Sequence, residues 1–410
     1  MIVKKLIAVL MIYIFLLSGC ASSNRTSSTT VGPPLSSSYS EPEEAEIITD
    51  TPRLEVIIPV FDPGLPEDPD DYKDNNIWPE LRRAEANRFA YKLKEKLDAT
   101  GQFGAVRVTP DATATGDLYI LGRIEESNGE EVEIDLELVD ISGKRWMKDS
   151  FSHEVPEAFH KDQRNEGVDP YDPLFTEAAA DIAEMLKKHD REELEELQYI
   201  ANLRFGANFS EKSFMRYMKV DDGRYTLISK PSDQDPMLQR IRAIRVRDQL
   251  FIDGLQENYA AFSEEMNDSY LMWQEQSLFE VQAERAASRK VLGQRVGGAL
   301  LIGLAVLSAV AGSNSNSVGG SAAGATGAIL GGVAGASVLS DSFKTSEEAK
   351  VHRESLNELG QSVDMALAPQ VIAFEKESVE LTGDAREQFK QWRAFLQKIY
   401  AEETTPDEQI

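Results

Sequence analysis

Between Glu131 and Ile141 the chain alternates apolar and acidic residues, with Val132, Ile134, Leu136 and Leu138 set against Glu131, Glu133, Asp135 and Glu137. A period of two predicts a strand with one buried and one solvent-facing side. Shorter runs rich in branched residues predict further strands at Arg53 to Phe61, Ala105 to Val108 and Asp117 to Ile124. Ser142-Gly143-Lys144 turns the chain into a last strand, Arg145 to Val155. Between the first two strands, Leu81, Phe89, Leu93 and Leu97 recur at helical spacing from Trp78 onward, and Thr100-Gly101 closes that helix. Residues 53–155 therefore read as a small α/β domain in the order β-α-β-β-β-β.

Residues 170–290 change to a helical period. Phe175, Ala178, Ala179, Ile182, Met185 and Leu186 form one apolar face, and Leu194, Leu197, Ile200 and Leu203 continue it. Gly206 to Pro236 interrupts the pattern, with a hairpin expected around Asp222-Gly223. It returns over Met237 to Glu280 through Leu238, Ile241, Ile244, Leu250, Phe251, Leu255, Tyr259 and Phe262. These stripes read as core, or alternatively as a partner-binding helix face. Residues 345–400 read as C-terminal helices packing on the 170–290 helices. Thr345 and Glu348 form a capping box for the first, Pro369 follows it, and Phe389, Trp392, Phe395 and Ile399 line the second. The fold class expected is α+β: the small α/β domain, then a mainly helical region carrying a Gly/Ala-rich helical hairpin.

That hairpin is the longest departure from the chain's average, which is 28% charged. No charged residue occurs from Val296 to Ser340. Two apolar segments, Val296 to Ala311 and Val318 to Leu339, flank the turn Gly312 to Ser317. The second places Gly319, Ala323, Gly327, Gly331 and Gly335 four apart, a helix-packing row without bulky side chains. The row resembles the glycine-zipper segments of envelope proteins. As helices the segments would be about 24 Å and about 33 Å long, against a hydrocarbon core of roughly 30 Å. Residues 296–340 thus read either as a membrane-inserted hairpin or as the Gly/Ala-packed hairpin of a soluble oligomer.

The first fifty residues change the picture again. Lys4 and Lys5 precede the apolar run Leu6 to Leu17, the layout of a secretory signal. Leu17-Ser18-Gly19-Cys20 resembles the lipobox of bacterial lipoproteins, and Cys20 is the only cysteine in the chain. The resemblance implies a signal peptide over 1–19 and lipidation of Cys20 by fatty acyl chains such as palmitate. With Ala21 and Ser22 following, it further implies an outer-membrane lipoprotein facing the periplasm. Residues 20–50 are rich in Ser, Thr, Pro and Glu, a flexible tether that buries no core. The order of 53–155 is similar to small α/β domains of the Tol-system propeller protein, the curli-secretion lipoproteins and the lipoprotein activators of peptidoglycan synthases.

Charge excludes several partners. Forty-three Lys and Arg against seventy Asp and Glu leave a formal charge of −27, which argues against nucleic acid and against adsorption to anionic headgroups. Membrane contact is expected through lipidated Cys20 and the 296–340 hairpin, with a homo-oligomer and envelope or export proteins as partners. No nucleophile elbow, phosphate loop or zinc-protease motif occurs, so no catalytic, cofactor or metal residue is assigned. His153, His160, His189 and His352 are scattered and expected at the surface. The acidic loop Asp62 to Asp74 lacks EF-hand spacing, and the Glu125-Glu126 and Glu130-Glu131 pairs are expected in exposed turns. The reading is a non-enzymatic lipoprotein serving as an oligomeric scaffold of an envelope or export assembly. Its alternatives are a periplasm-reaching regulator of a cell-wall enzyme and a pore-forming protein using the hairpin.

Overall fold

The alternation of 131–141 is realised as β4 (Glu131–Asp140), whose Val132, Ile134, Leu136 and Leu138 are at most 1% exposed. In the computed structural model, which describes residues 52–74, 77–296, 347–374 and 377–402, β4 belongs to a five-stranded sheet. The other strands are β1 (Val56–Pro59), β2 (Val106–Thr109), β3 (Leu118–Ser127) and β5 (Arg145–Glu154). Spatial order is β2-β1-β3-β4-β5, with β1 parallel to both neighbours and β3, β4 and β5 antiparallel. Helix α1 (Pro79–Thr100) joins β1 to β2. Pro79 presets its first turn, and Gly101 ends it in the left-handed region at φ 64°. The order β-α-β-β-β-β is present, with a single helical turn at Asp71–Asp74 between β1 and α1.

Helices follow. They are α2 (Asp172–Leu186), α3 (Arg191–Ala207), α4 (Glu211–Met215) and α5 (Pro236–Val296). Asp190 caps α3, its carboxylate accepting the Glu193 N–H at 2.9 Å. Between α4 and α5 lies the expected hairpin, β6 (Met218–Asp221) and β7 (Arg224–Leu227), turning on Asp222 and Gly223 at φ 48° and 75°. Both positive angles match the tight turn that right-twisted strands accept.

Helix α5 is one element of 61 residues, about 90 Å long. Ile241, Ile244, Phe251, Ile252, Leu255, Tyr259, Phe262, Met266, Tyr270 and Trp273 form its buried face. Leu250, expected on that face, is instead 64% exposed. It falls on the row Val246-Leu250-Gly254, which the four-residue spacing turns away from Phe251 and Leu255. The buried side chains of the sheet, of α1 to α5 and of the C-terminal helices form one continuous apolar core.

The C-terminal part contains α6 (Glu347–Leu359) and α7 (Ala385–Glu402). Between them stands a β-hairpin, β8 (Gln370–Phe374) and β9 (Glu377–Leu381), where only helices were expected. Helix α6 ends at Leu359, ten residues before Pro369, and beyond the proline Ile372 pairs with Val379 across the hairpin. Along α1, Trp78 meets Asn357 and Asn87 meets Val363, while Glu85 meets Tyr270 and Arg88 meets Ser263. Later residues of α1 thus touch later residues of the α6 segment and earlier residues of α5. Consequently α5 and α6 run in opposite directions, linked by Ser269 Oγ and His352 Nδ1 at 2.9 Å.

Candidate functional site: a buried polar seam and the cleft beside it

Helix α5 meets the α/β layer through charged side chains as well as apolar ones. Arg82, Glu85, Asn87 and Arg88 of α1 are all buried. The Glu85 carboxylate accepts hydrogen bonds from Ser127 Oγ at 2.5 Å and Tyr270 Oη at 2.7 Å, with Arg82 Nε 3.7 Å away. Burial dominates and pushes its pKa up to about 7, against the lowering pull of Arg82 and the two hydroxyls.

Arg88 donates to Asp169 Oδ2 and the Ser263 carbonyl, both at 2.8 Å, and to Asn267 Oδ1 at 3.0 Å. Its guanidinium carbon also lies 4.8 Å from the Tyr270 ring centre. The other Asp169 oxygen accepts from the Tyr171 N–H and from Gln274. Tyr171 Oη in turn accepts the Gly129 N–H at 2.7 Å. The seam therefore fixes α5 against α1, the start of α2 and the β3–β4 turn. A charge left alone here would be costly, so the groups stand or fall together.

A second ionic cluster lies at the other end of the sheet, around Glu55. Its carboxylate accepts from Arg245 at 2.8 Å and from Gln249 at 2.7 Å and 2.8 Å. Arg107 approaches it at 3.5 Å and pairs with Asp253 at 2.5 Å. The Glu55 backbone N–H donates to Asp117 Oδ2 at 2.8 Å. Asp117 is 1% exposed, and burial raises its pKa to about 6 despite the nearby Arg245. A polar cleft of about 380 Å³ opens beside this cluster, between the start of β1, α3 and α5.

At the far end, Arg285 pairs with Glu130 at 2.9 Å and with Glu131 at 3.2 Å. Glu130 was expected in an exposed turn, yet it is 3% exposed, and burial raises its pKa. Glu125 and Glu126 lie within β3 rather than in a turn. None of the four histidines is fully exposed: His189 stacks on Trp146 at 3.9 Å between ring centres and pairs with Glu193. In the acidic loop, Asp62 is held by Arg123 at 2.9 Å. Among the described residues, no group of three or more His, Cys, Asp or Glu is placed to hold a metal ion.

Cys20 and the row Gly319, Ala323, Gly327, Gly331 and Gly335 lie outside the described residues, as does the whole 297–340 stretch. No described helix is long and apolar enough to cross a membrane. Sequence reading missed the seam. Its one local signal was that Glu85 and Arg88 follow Leu81 by four and seven residues, on the helix face already assigned to the core.

No family model, no curated protein and no solved structure matches the chain.

Proposed function

We propose that the chain is a non-enzymatic, lipid-anchored envelope protein that self-associates through residues 296–340 and scaffolds an envelope or export assembly. Cys20 would be acylated and hold the body at the outer membrane, facing the periplasm. The observation that carries this reading is the path of α5. Among the described side chains Arg285 is the last of α5 to pair with the sheet, at the β3–β4 turn, and the helix continues to Val296, the first residue of the charge-free stretch. Those last eleven residues add roughly 16 Å of helix. Helix α6 begins at Glu347, just past that stretch, and runs back antiparallel along α5. Both flanks of 296–340 therefore leave the body at the same end, as a hairpin requires. The polar seam supports the same reading, because it ties the middle of α5, from Ser263 to Gln274, to α1 and the segment leading into α2.

Two variants of the full-length exported protein test this reading. Wild type is expected as large, detergent-stable oligomers, and Gly327→Leu, Gly331→Leu and Gly335→Leu together should collapse them by opening the close helix approach. A wild-type monomer unaffected by those changes sinks the scaffold reading and favours a regulator. Cys20→Ala, with export and signal cleavage confirmed, should release the protein from membranes if lipid is the sole anchor. Retained tight association would reveal insertion of 296–340.

A further inference from the structure

Gly254 lies inside α5, where a Cβ would meet no described atom within 4 Å. No described neighbour therefore requires the missing side chain, although glycine inside a helix costs stability relative to alanine. One turn earlier, Leu250 is 64% exposed. Both residues wall a groove of about 430 Å³ between α5 and β8. Its floor is apolar and fixed. Phe251 stacks on Trp392 at 5.1 Å between ring centres, both side chains are buried, and Trp392 directs its N–H to Asp248 at 3.2 Å.

The opposite wall is the edge of a strand. Ile372 and Ala373 point to opposite faces of β8, so a groove lined by both meets the strand along its edge. No residue of β9 lines the groove, which identifies the edge as the one facing away from β9. Among the described residues β8 pairs with β9 alone, so alternate N–H and C=O groups of β8 point toward the groove. From Arg247 to Asn258 the groove follows about 16 Å of helix, the length of about five extended residues. The chain carries seventy Asp and Glu, yet no carboxylate lines the groove, and its one charged lining residue is Arg247.

We propose that this groove binds an extended, acidic segment of a partner protein. The segment adds as a third strand to the open edge of β8, and its alternate apolar side chains enter toward Phe251 and Trp392. It passes close to Gly254, and an Asp or Glu near one end meets Arg247. Such binding needs neither acylated Cys20 nor residues 296–340.

Selection of displayed random heptapeptides on the full chain, then fluorescence anisotropy of the best of them, tests this recognition. Enriched peptides are expected to alternate apolar and polar residues, to lack proline and to carry an acidic residue near one end. Gly254→Trp fills the groove from a position where a Cβ has room. It should weaken the selected peptide at least about tenfold and leave thermal unfolding unchanged. Arg247→Gln should weaken it up to about fivefold, and that effect should vanish for a peptide whose acidic residue is replaced by its amide. Amide hydrogen exchange in β8 should slow when the peptide is bound. Absence of enrichment overturns the proposal, as do enriched peptides of helical spacing or basic charge. Wild-type affinity in Gly254→Trp or in Arg247→Gln overturns it too. If Gly254→Trp fails to fold, exchange in the wild-type complex decides: unchanged β8 rates refute strand addition.

Discussion

Gln256 on α5 grips both backbone polar groups of Val108 on β2, 148 residues earlier. Its carbonyl accepts the Val108 N–H and its amide donates to the Val108 carbonyl, each at 2.9 Å. β2 is the edge of the five-stranded sheet, and an open edge is a template for unwanted strand pairing. A single side-chain amide thus completes the ladder at that edge, with Arg107 and Asp253 clamping the adjacent residue.

Gln256→Ala should destabilise the protein by about 1–3 kcal/mol, since it leaves two backbone groups without their partner. Urea unfolding would read the loss, and hydrogen exchange would show faster exchange at the Val108 amide. An unchanged Val108 rate would mean that neighbouring groups protect the edge without Gln256.

Glu85 makes stability depend on pH with a definite sign. Its folded pKa of about 7 lies above the ordinary 4.5, so the folded state holds the proton more tightly. The stability this contributes is complete below about pH 4.5 and lost as pH rises to about 7, on the order of 3 kcal/mol across that window. Asp117, raised to about 6, adds in the same direction. Glu85→Gln keeps an acceptor for Ser127 and Tyr270 without the ionisable proton. Its unfolding free energy should therefore fall less steeply between pH 5 and 7 than that of wild type, and parallel pH profiles would refute the assignment.

The β3–β4 turn supports α5 through the smallness of Gly129. A Cβ there would stand 2.5 Å from Ser277 Cβ, and the residue has φ +90°. Gly167 shares a positive angle, φ +76°, with nothing within 4 Å. Gly167→Ala should cost roughly 1–2 kcal/mol from backbone strain alone. Gly129→Ala should cost about 1–3 kcal/mol more, because helix and turn must separate. Chemical denaturation of both variants isolates the contact, and equal losses would show that α5 yields there freely.

The sequence by itself determined the elements whose cause is local. The alternation of β4, the helical spacing of α1, the Gly101 stop and the Asp222-Gly223 turn each rest on neighbours a few residues away. It also marked Cys20 and the charge-free 296–340 stretch, because composition needs no fold to be read. The tertiary structure decided what depends on partners far along the chain. Whether Glu85 and Glu130 are buried is set by Tyr270 and Arg285 of α5, so no local pattern could reveal their raised pKa. Leu250 has the hydropathy of a core residue and is nonetheless exposed, because burial follows the orientation of the whole helix. The β8–β9 hairpin and the covered edge of β2 are likewise products of packing. Periodicity is a property of the chain, whereas desolvation and pairing belong to the surroundings that only the folded chain creates.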